Sequence, residues 1–234
     1  MGDDATGELL LADLVAARVD VSFVRRGGRS GSIVVLVDEH GERSFLTDPG
    51  SARMLDDPDP GWLDEVDVLH VPFYSLIDEP MATTAQTVVG WAHAHGTAVS
   101  VDVSSTSALD AYGTRAAVAT LERLGPTAVF ANADEAATLG IDAAVAGAIT
   151  FVKHGAGPAT LHLPDGASVA VPAPRLGPVA DSTGAGDAFA AGVLTHPAWS
   201  ADPVAACSSG HAAAAALLRS RVTPAARSAR QSSG

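Results

Sequence analysis

The feature that most constrains the fold is a regular alternation of strand-like and helix-like segments that begins near residue 66. Short apolar runs are separated by longer segments with helical periodicity, which is typical of an α/β protein with a mostly parallel sheet. The predicted strands are residues 66–71, 97–102, 127–131 and 148–152, and the predicted helices between them are residues 79–95, 107–124 and 133–139. We therefore expect a single α/β domain over residues 1–222.

Segments on either side of this alternation have their own signals. Two strand-like runs within residues 31–47 predict a β hairpin that stands outside the sheet as a small lid. Two more β runs, residues 159–163 and 168–171, flank a Pro-Asp-Gly turn signal. A final Ala-rich helix is expected at residues 203–220. Residues 223–234 have no periodicity and are predicted to be a disordered tail.

Composition excludes several classes of function. The 234 residues include 14 basic and 27 acidic side chains, a formal charge of −13, which argues against nucleic-acid binding because that relies on Lys and Arg. Cys207 is the single cysteine, so an internal disulfide or a multi-cysteine metal site is excluded. The opening MGDDATGELL lacks signal-peptide features, and no apolar run is long enough for a bilayer. We expect a cytoplasmic protein with no membrane partner.

Polar or glycine-rich residues follow three successive predicted strands. Asp102 ends one strand, Asn132 and Glu135 follow the next, and H-G-A-G at residues 154–157 follows the third. Because ligands of open parallel sheets bind at the carboxyl ends of the strands, we expect these residues to face one crevice.

Each of these residues also has a purely structural interpretation. Asp102 can start a helix, and Asn132 with Glu135 has the spacing of a capping box. Lys153, the single lysine of the chain, begins a basic pair at a strand end that can simply be solvated. Tyr74 can contact a sugar or pack at the rim of the core. These alternatives stay open at the level of the sequence.

The segment D-S-T-G-A-G-D-A-F-A-A-G-V-L, residues 181–194, places glycines at the start of a predicted helix. A helix N-terminus offers unpaired N–H groups, and glycine lets an anion approach the backbone closely. Gly184, Ala185 and Gly186 would then form an anion hole, with Asp187 beside it to accept a hydroxyl proton. The structural alternative is an acid that caps the helix, where negative charge is favourable.

Three common active-site motifs are absent from the chain. It has no G-x-x-x-x-G-K-[ST] loop, no G-x-G-x-x-G dinucleotide fingerprint and no G-x-S-x-G nucleophile elbow. The absence of these motifs does not affect the interpretation of residues 184–187 as a phosphate-binding site.

The segment D-S-T-G-A-G-D-A-F-A-A-G resembles the C-terminal motif of the ribokinase-like, or PfkB, carbohydrate kinases. N-A-D-E at residues 132–135 is similar to the N-x-x-E motif of that family, and K-H-G-A-G at residues 153–157 lies where the family has a glycine-bearing loop near the nucleotide phosphates. Residues 2–50 resemble the lid region. The resemblance implies a ribokinase-like three-layer sandwich with a mostly parallel central sheet and a small β lid.

This resemblance also implies an activity, the transfer of the γ-phosphoryl group of ATP to a hydroxyl of a carbohydrate. Asp187 would be the catalytic base, and Gly184, Ala185 and Gly186 would supply the anion hole. Relatives use the remaining matched positions for the nucleotide, Mg²⁺, a monovalent cation such as K⁺, or the sugar. These positions are Asn132, Glu135, Lys153, Gly155 and Gly157 for the nucleotide, Glu135 for Mg²⁺ through water, Asp181 and Thr183 for the monovalent cation, and Asp102 for the sugar.

Two departures from the family pattern set further expectations. Relatives begin with a strand that bears a sugar-binding aspartate, followed by a di-glycine segment. This chain starts after both, so we expect it to be truncated at its N-terminus. At the other end, R-V-T-P-A-A-R-S only loosely matches the segment that completes the cation site. The free edges of the lid hairpin lead us to expect a homodimer through the lid. A nucleoside kinase of the same fold and a non-catalytic nucleotide-binding protein remain alternatives.

Overall fold

The structure is a computed structural model that describes residues 1–37, 43–179 and 181–221. It divides into two compact units, Met1–Val66 with Ser75–His95, and Asp67–Tyr74 with Gly96–Gly234. The tip of the predicted hairpin and the predicted tail lie outside the described residues, and the single domain over residues 1–222 stays a prediction. Among the residues that the structure describes, no helix is both long and apolar enough to cross a membrane.

The first unit contains two helices, a two-stranded sheet and short 3-10 turns. Its elements are α1 (Ala5–Ala16), β1 (Ser32–Val37), β2 (Arg43–Asp48) and α2 (Met81–His95), with 3-10 helices at Gly50–Arg53 and Pro60–Leu63. Strands β1 and β2 pair antiparallel, with Ser32 opposite Asp48, so the strands predicted for the lid are present.

Helix α1 was not predicted from the sequence. Its N-cap is Asp4, whose carboxylate accepts hydrogen bonds from the N–H of Gly7 at 2.8 Å and from the N–H of Ser30 at 2.7 Å. These bonds and one from the Ser30 hydroxyl lower the pKa of Asp4 to about 2. Leu9 and Val15 are both more than half exposed, so the helix has no buried apolar stripe that would reveal it as an amphipathic pattern.

The second unit contains a six-stranded sheet with helices in the connections. The strands are β3 (Val68–Pro72), β4 (Ala98–Asp102), β5 (Ala128–Asn132), β6 (Ile149–Lys153), β7 (Ala159–His162) and β8 (Ser168–Val171), in that order across the sheet. The pairings from β3 to β6 are parallel and the last two are antiparallel. The helices are α3 (Thr106–Tyr112), α4 (Thr114–Leu124), α5 (Ala133–Leu139), α6 (Ala185–Leu194) and α7 (Pro203–Arg219). The predicted α/β class with a mostly parallel sheet is confirmed.

One predicted helix is two helices in the structure. The continuous helix expected over residues 107–124 was wrong, because Gly113 has φ +91° and separates α3 from α4. Glycine adopts this conformation without the steric penalty of a side chain, so the chain turns there and starts a new helix.

Aromatic packing holds α6 against the sheet, and a glycine allows α7 to approach α6 closely. The rings of Phe130 and Phe151 stack at 4.9 Å, and Phe189 of α6 meets both edge-on at 6.4 Å. A Cβ on Gly210 would lie 2.7 Å from Cγ2 of Val193, so only glycine permits this approach of the two helices. The start of α6 is thereby held at the carboxyl end of the sheet, near the end of β6.

Candidate active site

The N-terminal end of α6 is formed by the glycine-rich segment that the sequence singled out. Gly184, the N-cap residue, has φ +76°, a left-handed conformation that favours glycine. The N–H of Ala185 donates to the Ser182 carbonyl at 3.1 Å. Gly186 and Asp187 follow in the first turn, where helix geometry supplies no intrahelical acceptor for the backbone amides. Asp187 is exposed, so its carboxylate is accessible to a substrate.

Lys153, at the end of β6, lies against this helix end. A Cβ on Gly186 would be 3.3 Å from the Lys153 Nζ, which itself contacts Oδ2 of Asp102 at 2.9 Å. The two side chains of this ion pair are only 17% and 12% exposed. The ends of β4 and β6 and the start of α6 are therefore brought together, while the expectation that residues 132–135 and 154–157 face the same crevice stays a prediction.

The position of Lys153 is electrostatically unusual. A helix N-terminus carries a partial positive charge, so anions are favoured there and a cation is not. Asp102 offsets the ammonium charge, and an anion bound at the start of α6 would do so further.

Asp102 has a structural role besides this ion pair. Its Oδ1 accepts a hydrogen bond from the N–H of Ser104 at 2.9 Å, and Ser104 has φ +68°. Asp102 does not cap the helix that follows, because Ser105 is the N-cap of α3 and its hydroxyl accepts from Ala108. The assignment of Asp102 to a substrate stays a prediction.

Asn132 and Glu135 form a complete capping box at the start of α5. The Asn132 side chain accepts from the N–H of Glu135 at 2.9 Å, and Oε2 of Glu135 accepts from the N–H of Asn132 at 2.8 Å. Glu135 is buried, and this burial raises its pKa, against the lowering effect of the Asn132 hydrogen bond. The structural interpretation of this pair is thus realised, and its role toward nucleotide or Mg²⁺ stays a prediction.

The glycine-bearing loop after β6 is a tight, exposed turn. Gly157 donates its N–H to the His154 carbonyl at 2.9 Å, and a Cβ on Gly157 would lie 3.2 Å from that oxygen. Gly155 has φ +59° with open space where a Cβ would lie, so a ligand can approach its backbone. The nucleotide contacts of both glycines stay a prediction.

His70 was not considered as a site residue from the sequence, and Tyr74 was left open between a sugar contact and a packing role; the charge of Asp187 acts on both. His70 of β3 places Nδ1 2.8 Å from the Ser100 hydroxyl. Burial lowers the pKa of His70, and the charges of Asp102 and Asp187 raise it. Burial raises the pKa of the Tyr74 phenol, and the same two carboxylates add to that shift. The contact between His70 and Ser100 depends on the order of the strands in the sheet, which the sequence alone did not reveal.

Asp181 and Thr183, predicted to hold a monovalent cation, contact Arg221. The guanidinium lies 3.3 Å from Oδ2 of Asp181 and donates to the Thr183 carbonyl, while the N–H of Thr183 donates to Oδ1 of Asp181 at 2.9 Å. Within the described ranges, no group of three or more His, Cys, Asp or Glu side chains is arranged to hold a metal ion.

Comparison with known proteins identifies a family. The model of the pfkB family carbohydrate kinases matches residues 1–227. An ATP-dependent ribose-1-phosphate kinase of Halopiger xanaduensis is 32% identical over 202 residues, which cover 83% of this chain and 64% of that protein. The chain spans less than two thirds of the length of the curated relatives that it matches.

Solved structures share the fold over nearly the whole chain. The adenosine kinase from Sinorhizobium meliloti is 26% identical with a TM-score of 0.78, over 100% of this chain and 76% of that one. A probable sugar kinase protein from Rhizobium etli CFN 42 is 25% identical with a TM-score of 0.81, over 99% of this chain and 74% of that one. The predicted ribokinase-like α/β fold is therefore confirmed.

Proposed function

Because the chain belongs to the pfkB family of carbohydrate kinases, we propose that it transfers the γ-phosphoryl group of ATP to a hydroxyl of a carbohydrate. The observation that supports this most directly is the start of α6, where Gly186 faces the Lys153 ammonium and Asp187 is exposed beside it. Backbone amides, a cation and a carboxylate at one helix end are the groups that phosphoryl transfer to an alcohol needs.

In the proposed mechanism, Asp187 accepts the proton of the acceptor hydroxyl. The hydroxyl oxygen forms a bond to the γ-phosphorus while the bond from that phosphorus to the β-γ bridging oxygen of ATP breaks, which releases ADP. The amides of Gly184 and Gly186 and the Lys153 ammonium stabilise the negative charge on the transferred group, whereas the Ala185 amide already donates to the Ser182 carbonyl. Asp102 holds Lys153 in place through the 2.9 Å ion pair.

The name of the ATP-dependent relative supports ATP as the donor. Mg²⁺ bound with the nucleotide would supply neutralisation of phosphate charge, and such ions commonly keep several waters and few protein ligands. Asn132 and Glu135 offer oxygen atoms that fit a water-mediated role; Oε2 of Glu135 accepts from the Asn132 N–H, so its other carboxylate oxygen would be available to those waters. Asp181 and Thr183 do not fit a monovalent cation, because Arg221 already contacts both, so no step is assigned to K⁺.

We propose an acceptor that contains ribose. Ribose 1-phosphate and adenosine, which the names of two relatives specify, share this sugar, and the adenosine kinase covers the whole chain. A nucleoside kinase is thus the second candidate. A homodimer through the lid is also proposed, since Ile33, Val34 and Leu46 of the hairpin are more than half exposed. A cytoplasmic location remains a prediction.

The experiment is a measurement of ADP release by this 234-residue chain with Mg²⁺ across ribose 1-phosphate, ribose, adenosine and fructose. We expect release that depends on a ribose-containing acceptor. Asp187→Ala should lower kcat by about 10²- to 10⁴-fold, the usual contribution of a general base, while ATP binding measured by calorimetry persists.

Asp202→Ala is the matched control, because Asp202 caps α7 and has no part in the proposed chemistry. Full turnover in Asp187→Ala would contradict the assignment of the base. ATP binding without turnover on any acceptor would favour a non-catalytic nucleotide-binding protein.

A further inference from the structure

Arg221, in the turn that follows α7, reaches the segment that leads into α6. Its guanidinium contacts the Asp181 carboxylate at 3.3 Å and donates to the Thr183 carbonyl. The side chain of Arg221 is 33% exposed, so most of it is covered. The same guanidinium thus contacts both residues that the family resemblance assigns to a monovalent cation.

The Thr183 carbonyl belongs to the peptide group that joins Thr183 to Gly184. A cation that holds this oxygen fixes the plane of the peptide just before the N-cap of α6. The amides of the proposed anion hole follow directly, so their directions depend on this peptide. Arg221 can therefore act on the site through the backbone, without contact with a substrate.

The end of α7 is well placed to hold Arg221. The backbone N–H of Arg221 donates to the Leu218 carbonyl at 2.9 Å, which closes the turn after the helix. Cδ2 of Leu217, in the last turn of α7, would lie 3.7 Å from a Cβ on Gly184, the N-cap of α6. The end of α7 that precedes Arg221 is thus close to the helix end that the guanidinium contacts.

The Arg221 guanidinium suits these oxygens better than a K⁺ ion would. Arginine keeps its charge at all physiological pH values, and its planar fork matches a carboxylate together with a nearby carbonyl. A K⁺ ion at the same oxygens would meet this fixed positive charge at short range and would compete for the same lone pairs.

We propose that the Arg221 guanidinium takes the place of the monovalent cation, so that this chain needs no K⁺ to order the start of α6. Arg221 is then a positioning residue for the anion hole. The proposal rests on the proposed kinase function for its catalytic consequence, but the independence from K⁺ is also a property of the folded protein that can be measured without turnover.

The first test is thermal unfolding of the full chain in KCl and in choline chloride at equal ionic strength. A cation that binds only the folded state raises the melting temperature. We expect the wild type to melt at the same temperature in both salts, and Arg221→Ala to melt lower in choline chloride and to recover in KCl. Arg219→Ala, an exposed arginine two residues away, should behave as the wild type.

A specific rise of the wild-type melting temperature in KCl would overturn the proposal. The absence of any KCl response in Arg221→Ala would overturn it equally, because the vacated oxygens should then accept K⁺. If Arg221→Ala does not fold, Arg221→Lys tests the same point. That variant keeps the charge and should remain indifferent to KCl, and a KCl response in it would contradict the proposal.

The second test measures initial rates in the same two salts. We expect a wild-type kcat that is equal in both salts, and an Arg221→Ala kcat about tenfold lower in choline chloride that recovers in KCl, with little change in the KM of the acceptor. Guanidinium chloride at low millimolar concentration should also restore part of the rate. Failure of turnover in every protein would refute the proposed function and leave the thermal test to decide the proposal about Arg221.

Discussion

Two helices of the sheet-bearing unit, α5 and α6, begin in opposite ways. At α5, Asn132 and Glu135 accept each other's backbone N–H groups, so the protein itself satisfies the helix end. At α6, the N-cap is Gly184, which has no side chain to do so, and Lys153 lies against the first turn although Asp187 is part of it. The N-terminal end of a helix favours anions, so Glu135 fills this place at α5, whereas at α6 no side chain caps the amides and an anionic ligand can bind there.

The difference shows that two helices after neighbouring strands of one sheet can have different roles: the start of α5 serves stability, and the start of α6 serves ligand binding. Both helices follow the same sheet, and sequence motifs assigned both to the phosphate site. Only α6 combines uncapped amides with a cation, at the expense of an unfavourable contact between Lys153 and the helix dipole. Changes in the first turn of α6 itself should therefore affect phosphate chemistry most, and changes to the capping box of α5 should affect folding, whereas the Lys153–Asp102 ion pair at the strand ends should affect both.

The largest effect on stability is expected from Lys153→Met. This change leaves the largely buried Asp102 carboxylate without its ion-pair partner, which typically lowers the free energy of unfolding by about 3 kcal/mol. The measurement is unfolding in urea, with Asp102→Asn and the double variant to complete a thermodynamic cycle.

In that cycle, the double variant should be more stable than the sum of the two single changes predicts, because it leaves no charge unpaired. Purely additive losses, or a loss below about 1 kcal/mol in Lys153→Met, would mean that the pair does not stabilise the start of α6.

An intermediate effect, on activity rather than stability, is expected from Gly186→Ala. The new methyl group would lie 3.3 Å from the Lys153 Nζ and would occupy the space where a phosphate oxygen approaches the amides. We expect kcat/KM for ATP to fall about tenfold, equivalent to about 1.4 kcal/mol, with little change in melting temperature.

Gly90→Ala is the matched control for this change, because Gly90 lies inside α2 with nothing within 4 Å of a Cβ. It should stabilise its helix by up to about 1 kcal/mol and leave the kinetics unchanged. Unaltered kinetics in Gly186→Ala would contradict the view that α6 is the open end.

The sequence allowed much of this comparison to be predicted, but not all of it. The glycine-rich start of α6 and the capping spacing of Asn132 and Glu135 are local patterns, so they could be recognised directly. The contact of Arg221 with Thr183 spans 38 residues and follows no periodicity, so only the folded structure reveals it. The same holds for His70, whose partner Ser100 lies on the adjacent strand. Local chemistry was predictable, and pairings set by tertiary packing were not.

The smallest effect is expected at α5 from Glu135→Gln. Glutamine can still accept the Asn132 N–H, so the capping box survives and the free energy of unfolding should change by less than about 1 kcal/mol. Asn132→Ala, which removes the cap, should lower it by about 1 kcal/mol. A loss of activity in Glu135→Gln without a loss of stability would support its proposed role toward Mg²⁺, and so would extend the ligand site from α6 to α5.

The pH dependence of Glu135→Gln tests the capping interpretation from another side. Burial raises the pKa of Glu135 above its ordinary value of 4.5, so the folded state holds the proton more tightly than the unfolded state does. The stabilisation that comes from this tighter proton binding is fully present below pH 4.5, and it is lost as the pH rises through the raised pKa. Glu135→Gln cannot titrate, so its stability relative to the wild type should increase with pH across that window and then level off. Urea unfolding from pH 4 to pH 8 measures this difference. A constant difference over the range would mean that Glu135 is not desolvated in the folded protein and that the start of α5 is more open to ligands than its capping box indicates.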